Sequence, residues 1–197
     1  MFRINKLLLA LAAVLVVGFA APTTNAVPCT TVAGNLVVNC GFETGTFAGW
    51  TQSGNTGFTG VTNAAPYVAS GTFGAFFGPV GSLGFIDQNI ATVAGTQYIV
   101  SYSLESDGFT PNEFRAFWGG VLFATGTNLG AFPHTTFSFV LTATGPLTNL
   151  RFGFQNDPAF FGFDDVVVRA VPEPMTMLLL GSGLAGLGMK LRRRRNS

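Results

Sequence analysis

Apolar and polar residues alternate along several stretches in the middle of the chain. The clearest example is residues 97–104, in which the apolar side chains that share one face are Tyr98, Val100, Tyr102 and Leu104. Residues 136–141 and 150–154 follow the same pattern. A period of two residues is typical of β-strands with one buried face, and no long stretch between residues 30 and 170 has the 3.6-residue period of an amphipathic helix. The pattern therefore predicts strands and no helices.

Glycine-bearing turns interrupt the alternating stretches about every ten residues. They occupy residues 78–84, 94–96, 106–108, 118–120 and 144–146. Glycine supports the backbone conformations that tight turns need, and aspartate and proline reinforce such turns. Many short strands with regular turns predict an all-β antiparallel sandwich.

The first 26 residues have the order of a secretory signal peptide. Residues 1–26 begin with the basic Arg3 and Lys6, continue with an apolar run over residues 7–21 and end in small residues. That order is typical of a signal peptide. The apolar run of about 15 residues is shorter than the roughly 20 that a spanning helix needs. The sequence predicts cleavage after Ala26 rather than an uncleaved anchor.

The other end of the chain has a second apolar run, over residues 175–189, followed by a basic end over residues 190–197. The four consecutive arginines of that end are Arg192, Arg193, Arg194 and Arg195. Because basic clusters stay in the cytoplasm, this order predicts a single transmembrane helix with the preceding domain outside. The predicted signal peptide would deliver the domain to the same side.

Between the two ends lies the predicted ectodomain, residues 27–170. Residues 27–174 contain three basic and nine acidic residues, a net charge of −6. An acidic domain without a basic stripe repels phosphate backbones, which excludes nucleic acid as a partner.

Cys29 and Cys40 are the only cysteines and lie eleven positions apart. Export takes them to an oxidising compartment, where a disulfide that closes a short N-terminal loop is expected. Two buried free thiols are the alternative. A metal site would need more ligands, and a redox pair would be spaced C-x-x-C.

No arrangement of residues in the sequence indicates catalysis. His134 follows Pro133 in a predicted loop without a nucleophile or metal partner, so we expect a solvated side chain. Asp164 and Asp165 are adjacent on a predicted strand. Their side chains should leave opposite faces, and they could not flank one glycosidic bond. We predict no catalytic residue and no enzymatic activity.

The tail carries a recognisable set of three parts in order: a Pro-Glu-Pro motif, a short hydrophobic segment and a terminal arginine cluster. The motif residues are Val171, Pro172, Glu173 and Pro174. These parts resemble the PEP-CTERM sorting signal. The resemblance implies processing by exosortase, a membrane-embedded cysteine protease. It also implies an inner-membrane-anchored precursor and a mature form at the surface or in the biofilm matrix of a Gram-negative, exopolysaccharide-making bacterium. The alternative is a plain membrane anchor that is never cut.

Several stretches of the domain are similar to the galactose-binding-type jelly roll of carbohydrate-binding modules of families 4, 9 and 22. Residues 35–45, followed by Trp50, are similar to that group's first strand, N-G-x-F-E-x-G…W, with Cys40 in place of the usual glycine. Residues 161–168 are similar to its last strand and residues 88–98 to its middle. The resemblance implies a jelly-roll sandwich and polysaccharide binding. The alternative is a structural or adhesive matrix protein that binds protein partners.

In the resembled modules, a glutamate near the start and an aspartate of the closing strand hold a structural calcium ion together with backbone carbonyls. Glu43 and Asp164 occupy these positions here. Carboxylate and carbonyl oxygens suit Ca²⁺. The alternative is that Glu43 caps a turn and Asp164 faces solvent.

Sugar recognition needs exposed aromatic rings with polar neighbours. The candidates are Trp50, Tyr67, Trp118 and Arg115. With 21 phenylalanines in the chain, however, most aromatic rings must lie in the core. Trp118 shares a predicted strand face with Phe114 and Ala116, which favours the core for Trp118, and the same caution applies to Trp50.

Overall fold

The computed structural model describes residues 27–172, which form ten strands and one short 3-10 helix, Cys29–Thr31. Within that range no helix has the length and apolar character needed to cross a membrane. The predicted signal peptide, the predicted transmembrane helix and the basic end lie outside the described residues, as do Glu173 and Pro174.

Two five-stranded antiparallel sheets make up the domain. Sheet A contains, in spatial order, β1 (Thr51–Gly54), β4 (Gly84–Ala91), β9 (Leu147–Asn156), β6 (Asn112–Trp118) and β7 (Val121–Thr127). Sheet B contains β2 (Thr59–Thr62), β3 (Gly74–Phe77), β10 (Phe161–Ala170), β5 (Gln97–Ser106) and β8 (Phe132–Thr142). Consecutive strands often cross between the sheets, as in a jelly roll, which confirms the predicted all-β jelly-roll sandwich.

The predicted alternation is observed along β5. Its inward-facing residues are all buried: Tyr98, Val100, Tyr102 and Leu104. The predicted turn at residues 118–120 also connects two strands, since Trp118 pairs directly with Val121 across a hairpin. Gly119 and Gly120 both have positive φ, at 57° and 82°. Two-residue hairpins favour this conformation, which explains the two glycines.

Aromatic rings from both sheets form the centre of the core. Phe163 of sheet B packs against Phe152 and Phe154 of sheet A, with ring centroids 4.7 and 5.1 Å apart. Phe77 stacks on Phe154 at 3.9 Å, and Tyr102 joins the same layer. Fully burying each such ring stabilises the fold by roughly 1.5–3 kcal/mol. This layer holds the sheets together and leaves their outer faces for other roles.

The opening stretch, residues 35–45, forms turns rather than the strand that the resemblance implied. Asn39 and Phe42 have φ values of 50° and 56°. Such left-handed residues cannot continue an extended strand. Two backbone hydrogen bonds to β10 still fix the stretch: Leu36 N–H donates to Val168 O, and Val166 N–H donates to Cys40 O.

Strand β10 contains a bulge between Asp164 and Val167, where its register with β5 shifts. Asp165, inside the bulge, has a φ of 51°. The expectation that Asp164 and Asp165 point to opposite faces assumed a regular strand, and it is wrong here. Both carboxylates are buried on the outer side of sheet B, and both accept hydrogen bonds from Ser70 of the same loop. An extra residue in a strand breaks the alternation in this way.

Cys29 and Cys40 are joined in a disulfide, and both are buried. The Cys29 N–H donates to Asp165 Oδ1 at 2.8 Å, so the disulfide loop packs on the bulge of β10. The loop therefore connects the first residues of the domain to its last strand.

We predict that reduction of this disulfide lowers the melting temperature of the exported protein by several degrees, because closing a loop of about a dozen residues is worth roughly 3 kcal/mol. Thermal unfolding with and without reductant measures the effect. A Cys29→Ser/Cys40→Ser variant should melt at the lower temperature under both conditions. Thiol labelling of both cysteines in denatured, unreduced protein would contradict the prediction.

Candidate functional site

The outer face of sheet A carries a continuous set of polar and aromatic side chains. They alternate with the core residues of β4, β9 and β6. Cross-strand register brings Asp87, Arg151 and Phe117 into one row. We call this surface the polar face, and its members are Phe85, Asp87, Arg115, Phe117, Asn149 and Arg151.

Arg151 is held in a fixed orientation at the centre of the polar face. Its guanidinium carbon lies 3.9 Å from the ring centroid of Phe85, and Nη2 donates to Ser53 Oγ at 3.3 Å. The ring of Phe85 lies close over Gly153, where an added Cβ would come within 2.6 Å of a ring carbon. Glycine at this position thus allows Phe85 to lie on the sheet and support the guanidinium from below by a cation–π contact.

Amide and carboxylate groups flank Arg151. Asn149 Nδ2 donates to Asp87 Oδ2 at 3.2 Å and to Asn89 Oδ1 at 3.0 Å. On the neighbouring strand, Arg115 forms an ion pair with Glu113 at 2.6 Å. The face therefore offers donors, acceptors and aromatic carbon side by side, a combination that suits the hydroxyl groups and ring faces of sugars.

Two of the predicted sugar-binding aromatics lie in the core. Trp50 is 7% exposed and Trp118 is 6% exposed. Their indole N–H groups donate to backbone carbonyls of Asn39 and Thr142. Both occupy inward positions, where a large ring fills space between the sheets, so neither can stack on a sugar. The core alternative holds for both tryptophans.

The other two candidates lie on opposite sides of the domain. Arg115 is on the polar face, whereas Tyr67 lies in the loop between β2 and β3. The Tyr67 ring contacts Phe76 and Phe160, with centroids 5.7 and 6.1 Å apart. Arg151 was not among the predicted sugar-binding residues, although its outward position follows from the period-two pattern of residues 150–154.

His134 lies on strand β8, and the expectation of a solvated loop residue is wrong. Its Nδ1 is 2.9 Å from Ser103 Oγ, and burial lowers the pKa of the imidazole. Ser103 is only 1% exposed, so a substrate could not reach its hydroxyl group. The pair is therefore not arranged for nucleophilic catalysis, which needs an accessible nucleophile.

The carboxyl group of Asp164 is completely buried in the bulge of β10. Its Oδ2 accepts from the N–H groups of Ala69 and Ser70, and its Oδ1 accepts from the Asp165 N–H. Burial, followed by the charge of Asp165, raises the pKa of Asp164 to about 7. The alternative in which Asp164 faces solvent is wrong.

Asp165 and Glu43 lie next to this carboxyl group. Asp165 Oδ1 accepts from Cys29 N–H and Ser70 Oγ–H, whereas its buried Oδ2 has no partner among residues 27–172. Glu43 accepts from the N–H groups of Thr72 and Phe73, so it caps a turn. The charge of Glu43 also contributes to the raised pKa of Asp165, after burial.

The position of Gly41 shows how near the two expected calcium ligands are. A Cβ at Gly41 would lie 3.4 Å from Asp164 Oδ1 and 3.8 Å from Glu43 Cγ. In the described part of the chain, no three His, Cys, Asp or Glu side chains are arranged as a ready metal site. An ion here would therefore need backbone carbonyls or water besides the carboxylates. The partnerless Asp165 oxygen fits such a ligand set.

The comparison with protein families identifies the tail. The PEP-CTERM protein-sorting motif matches residues 170–195. The chain carries a PEP-CTERM sorting motif. In the structure, Val171 N–H donates to Gln97 O at 2.8 Å, whereas Pro172 has no N–H to continue the pairing. The PEP-CTERM motif thus begins where sheet B ends.

Solved structures similar to the domain include carbohydrate-binding modules. A family 61 module in complex with β-1,4-galactotriose has a TM-score of 0.56 and 17% identity, covering 71% of this chain and 100% of that one. The CBM22-1–GH10 modules of xylanase 10B from Clostridium thermocellum, complexed with xylohexaose, have a TM-score of 0.53 and 20% identity. The match covers 72% of this chain and 29% of that one. The C-terminal family 22 module of the same enzyme has a TM-score of 0.52 and 13% identity, and the match covers 71% of this chain and 96% of that one. These likenesses show a shared jelly-roll fold. A comparison with curated proteins gives no match.

Proposed function

We propose that this PEP-CTERM protein is a non-enzymatic surface or matrix protein that binds polysaccharide through the polar face of sheet A. The observation that carries the proposal is the fixed Arg151 guanidinium, flanked by Asp87 and Phe117 on the outer face of sheet A. The fold supports it, since carbohydrate-binding modules share the same jelly roll.

The polar face is organised before any ligand binds. Arg151 is already held by Phe85 and Ser53, and Asn149 is already held by Asp87. Ordering a long side chain on binding costs about 0.5–1.5 kcal/mol, so prior ordering favours affinity. Hydroxyl groups of a sugar chain would bond Arg151 and Asp87, while the apolar side of a sugar ring would contact Phe117.

We predict that Arg151→Ala and Phe117→Ala each weaken polysaccharide binding by about tenfold or more. The full chain, purified in mild detergent, is tested on a glycan array and in gels that contain xylan or β-1,4-galactan. Phe58→Ala, at a 68% exposed ring outside the polar face, and Arg169→Ala, on sheet B, are matched controls that should bind like the parent.

Two results would contradict this assignment. If the parent protein binds no glycan while it associates with itself or with proteins, the structural or adhesive alternative describes it. Binding that is unchanged in the Arg151 and Phe117 variants would place the ligand elsewhere on the protein.

The sorting motif assigns the chain to an export route. Exosortase recognises the tail in the membrane and cuts near Pro172 and Pro174, and the mature protein lies at the cell surface or in the matrix of a Gram-negative bacterium. Among residues 27–172, Val171 is the last one bonded to sheet B. The segment from Pro172 onward is the part that we propose a protease recognises, since the residue before a proline favours extended backbone.

We predict that mature protein from a host with exosortase lacks Arg192–Arg195. Intact-mass spectrometry of the exported protein measures this, and a host without exosortase should accumulate the longer precursor. A mature population dominated by chains that retain the arginines would instead support a permanent membrane anchor.

Calcium is the structural ion that suits the carboxylate cluster. Glu43, Asp164 and Asp165 would hold it together with backbone carbonyls. When bound, its charge would offset three neighbouring carboxylates, of which Asp164 has a pKa raised to about 7 by burial and by Asp165. The same carboxylates bond the loop before β3 and the N-terminal disulfide loop, so an ion would strengthen both attachments.

We predict that Ca²⁺ raises the melting temperature at about 0.15 M salt, where exposed charges are largely screened. A free Ca²⁺ concentration of 100 times the dissociation constant adds about 2.7 kcal/mol to the free energy of unfolding. A chelator should reverse the shift in melting temperature. Magnesium should substitute poorly. Glu43→Gln, Asp164→Asn and Asp165→Asn should each reduce the calcium-dependent shift, whereas Glu113→Gln, in the ion pair on sheet A, should retain it.

An equal loss in the Glu113→Gln control would show that bulk electrostatics causes the shift. The absence of any calcium effect on the parent protein would show that no ion is bound.

A further inference from the structure

A second candidate site lies on the outer side of sheet B, opposite the polar face. It is an open depression of about 490 Å³. We call it the acidic depression, and its main walls are Pro66, Glu105, Asp107, Phe132, Pro133 and His134. Binding sites for small ligands have volumes of about 300–1,000 Å³, so the depression has room for a sugar residue.

Glu105 lines the acidic depression with a carboxyl group that has no cationic partner among residues 27–172. Its side chain is 6% exposed, and Oε2 accepts from the Gly162 N–H at 3.1 Å. Its Oε1 accepts no hydrogen bond from any residue between 27 and 172. A buried carboxylate without a cation costs free energy, and burial accordingly raises the pKa of Glu105 to about 7.

His134 adds a second unsatisfied group at the same place. Its Nε2 is buried and has no hydrogen-bond partner within the described part of the chain. A Cβ at Gly162 would lie 3.0 Å from Glu105 Oε2 and 3.1 Å from His134 Nε2. The two side chains therefore converge over a residue that has no side chain of its own.

Positive charge is absent from this region of the described chain. The three arginines among residues 27–172 are elsewhere: Arg115 and Arg151 are on sheet A, and Arg169 pairs with Ile99 at the far end of β10. Asp107 adds a second carboxylate and contributes, after burial, to the raised pKa of Glu105. A ligand for the acidic depression should therefore carry a positive charge.

Tyr67 supplies an aromatic ring at the edge of the acidic depression, directly after the lining residue Pro66 in the chain. Its ring is half-buried against Phe76 and Phe160. Phe160, which this ring contacts, donates its backbone N–H to Asp107 Oδ2 at 3.0 Å, so the ring lies near the acidic depression. Burial, followed by the charges of Glu105 and Asp107, raises the pKa of Tyr67. An aromatic ring beside acceptor groups suits a sugar ring with a cationic substituent better than a bare ammonium ion.

We infer that the acidic depression binds a cationic amino sugar unit of a polysaccharide, with its ammonium group on Glu105 and its ring against Tyr67. This inference rests on the proposed function, since it names one class of polysaccharide. The ammonium group donates up to three hydrogen bonds and supplies the positively charged partner that Glu105 lacks.

The test compares two oligosaccharides that differ in charge. Calorimetric titration of the full chain, in mild detergent, uses a β-1,4-linked glucosamine tetramer and its N-acetylated counterpart. We expect the glucosamine tetramer to bind at least about tenfold more tightly. Glu105→Gln should abolish this preference, whereas Glu113→Gln, the same change on sheet A, should retain it. Tyr67→Ala should weaken binding of both tetramers without a loss of melting temperature.

Equal affinity for the two tetramers, or an unchanged preference in Glu105→Gln, would overturn the inference. So would a lysine tetrapeptide that competes as well as the glucosamine tetramer. A failure of this inference can be told apart from a failure of the polar-face assignment. The Arg151→Ala variant should lose binding of neutral polysaccharide and still prefer the glucosamine tetramer. If neutral polysaccharides do not bind the parent but the Glu105-dependent preference is observed, the inference stands and the polar-face assignment is wrong.

Discussion

The bulge in β10 is the constraint on which the outer side of sheet B depends. By placing two carboxyl groups on the same side of the strand, it lets them bond segments that are far apart in the chain. Asp164 accepts from Ala69 and Ser70, which positions the loop that carries Tyr67. Asp165 accepts from Cys29, which fixes the disulfide loop at the start of the domain. Without the bulge, a regular strand would point these groups to opposite sides.

Charge is distributed unequally over the two outer faces. Arg115 and Arg151 lie on sheet A, where each has a partner: Glu113 for the first, and the Phe85 ring with Ser53 for the second. On sheet B, Glu105 and Asp164 are buried and form no ion pair with a basic side chain among residues 27–172, and burial, the first cause, raises the pKa of both. The aromatic core between the sheets separates the two faces.

Sequence patterns predicted the strands well and the surroundings of the candidate site residues poorly. The inward positions of β5 follow from alternation because the period of two residues is a local property of an extended chain. The same reasoning failed at Asp165, because a bulge is visible only when the partner strand is known. It also failed at His134, whose imidazole is buried by strands and loops distant in sequence. Alternation already favoured the core for Trp118, and the contacts of Trp118 with Tyr98 and of Trp50 with Phe42 place both rings there.

The sequence by itself determined the features that depend on neighbouring residues. These are the sorting motif at residues 170–195, the turns and the all-β character of the domain. Only the tertiary structure decided which side chains meet, because sheet pairing joins residues that are far apart in the chain. The contact of Cys29 with Asp165 spans 136 positions, and the one between Arg151 and Ser53 spans 98. Strand order therefore produced both the polar face and the acidic depression, since no local pattern specifies which outward-facing residues become neighbours.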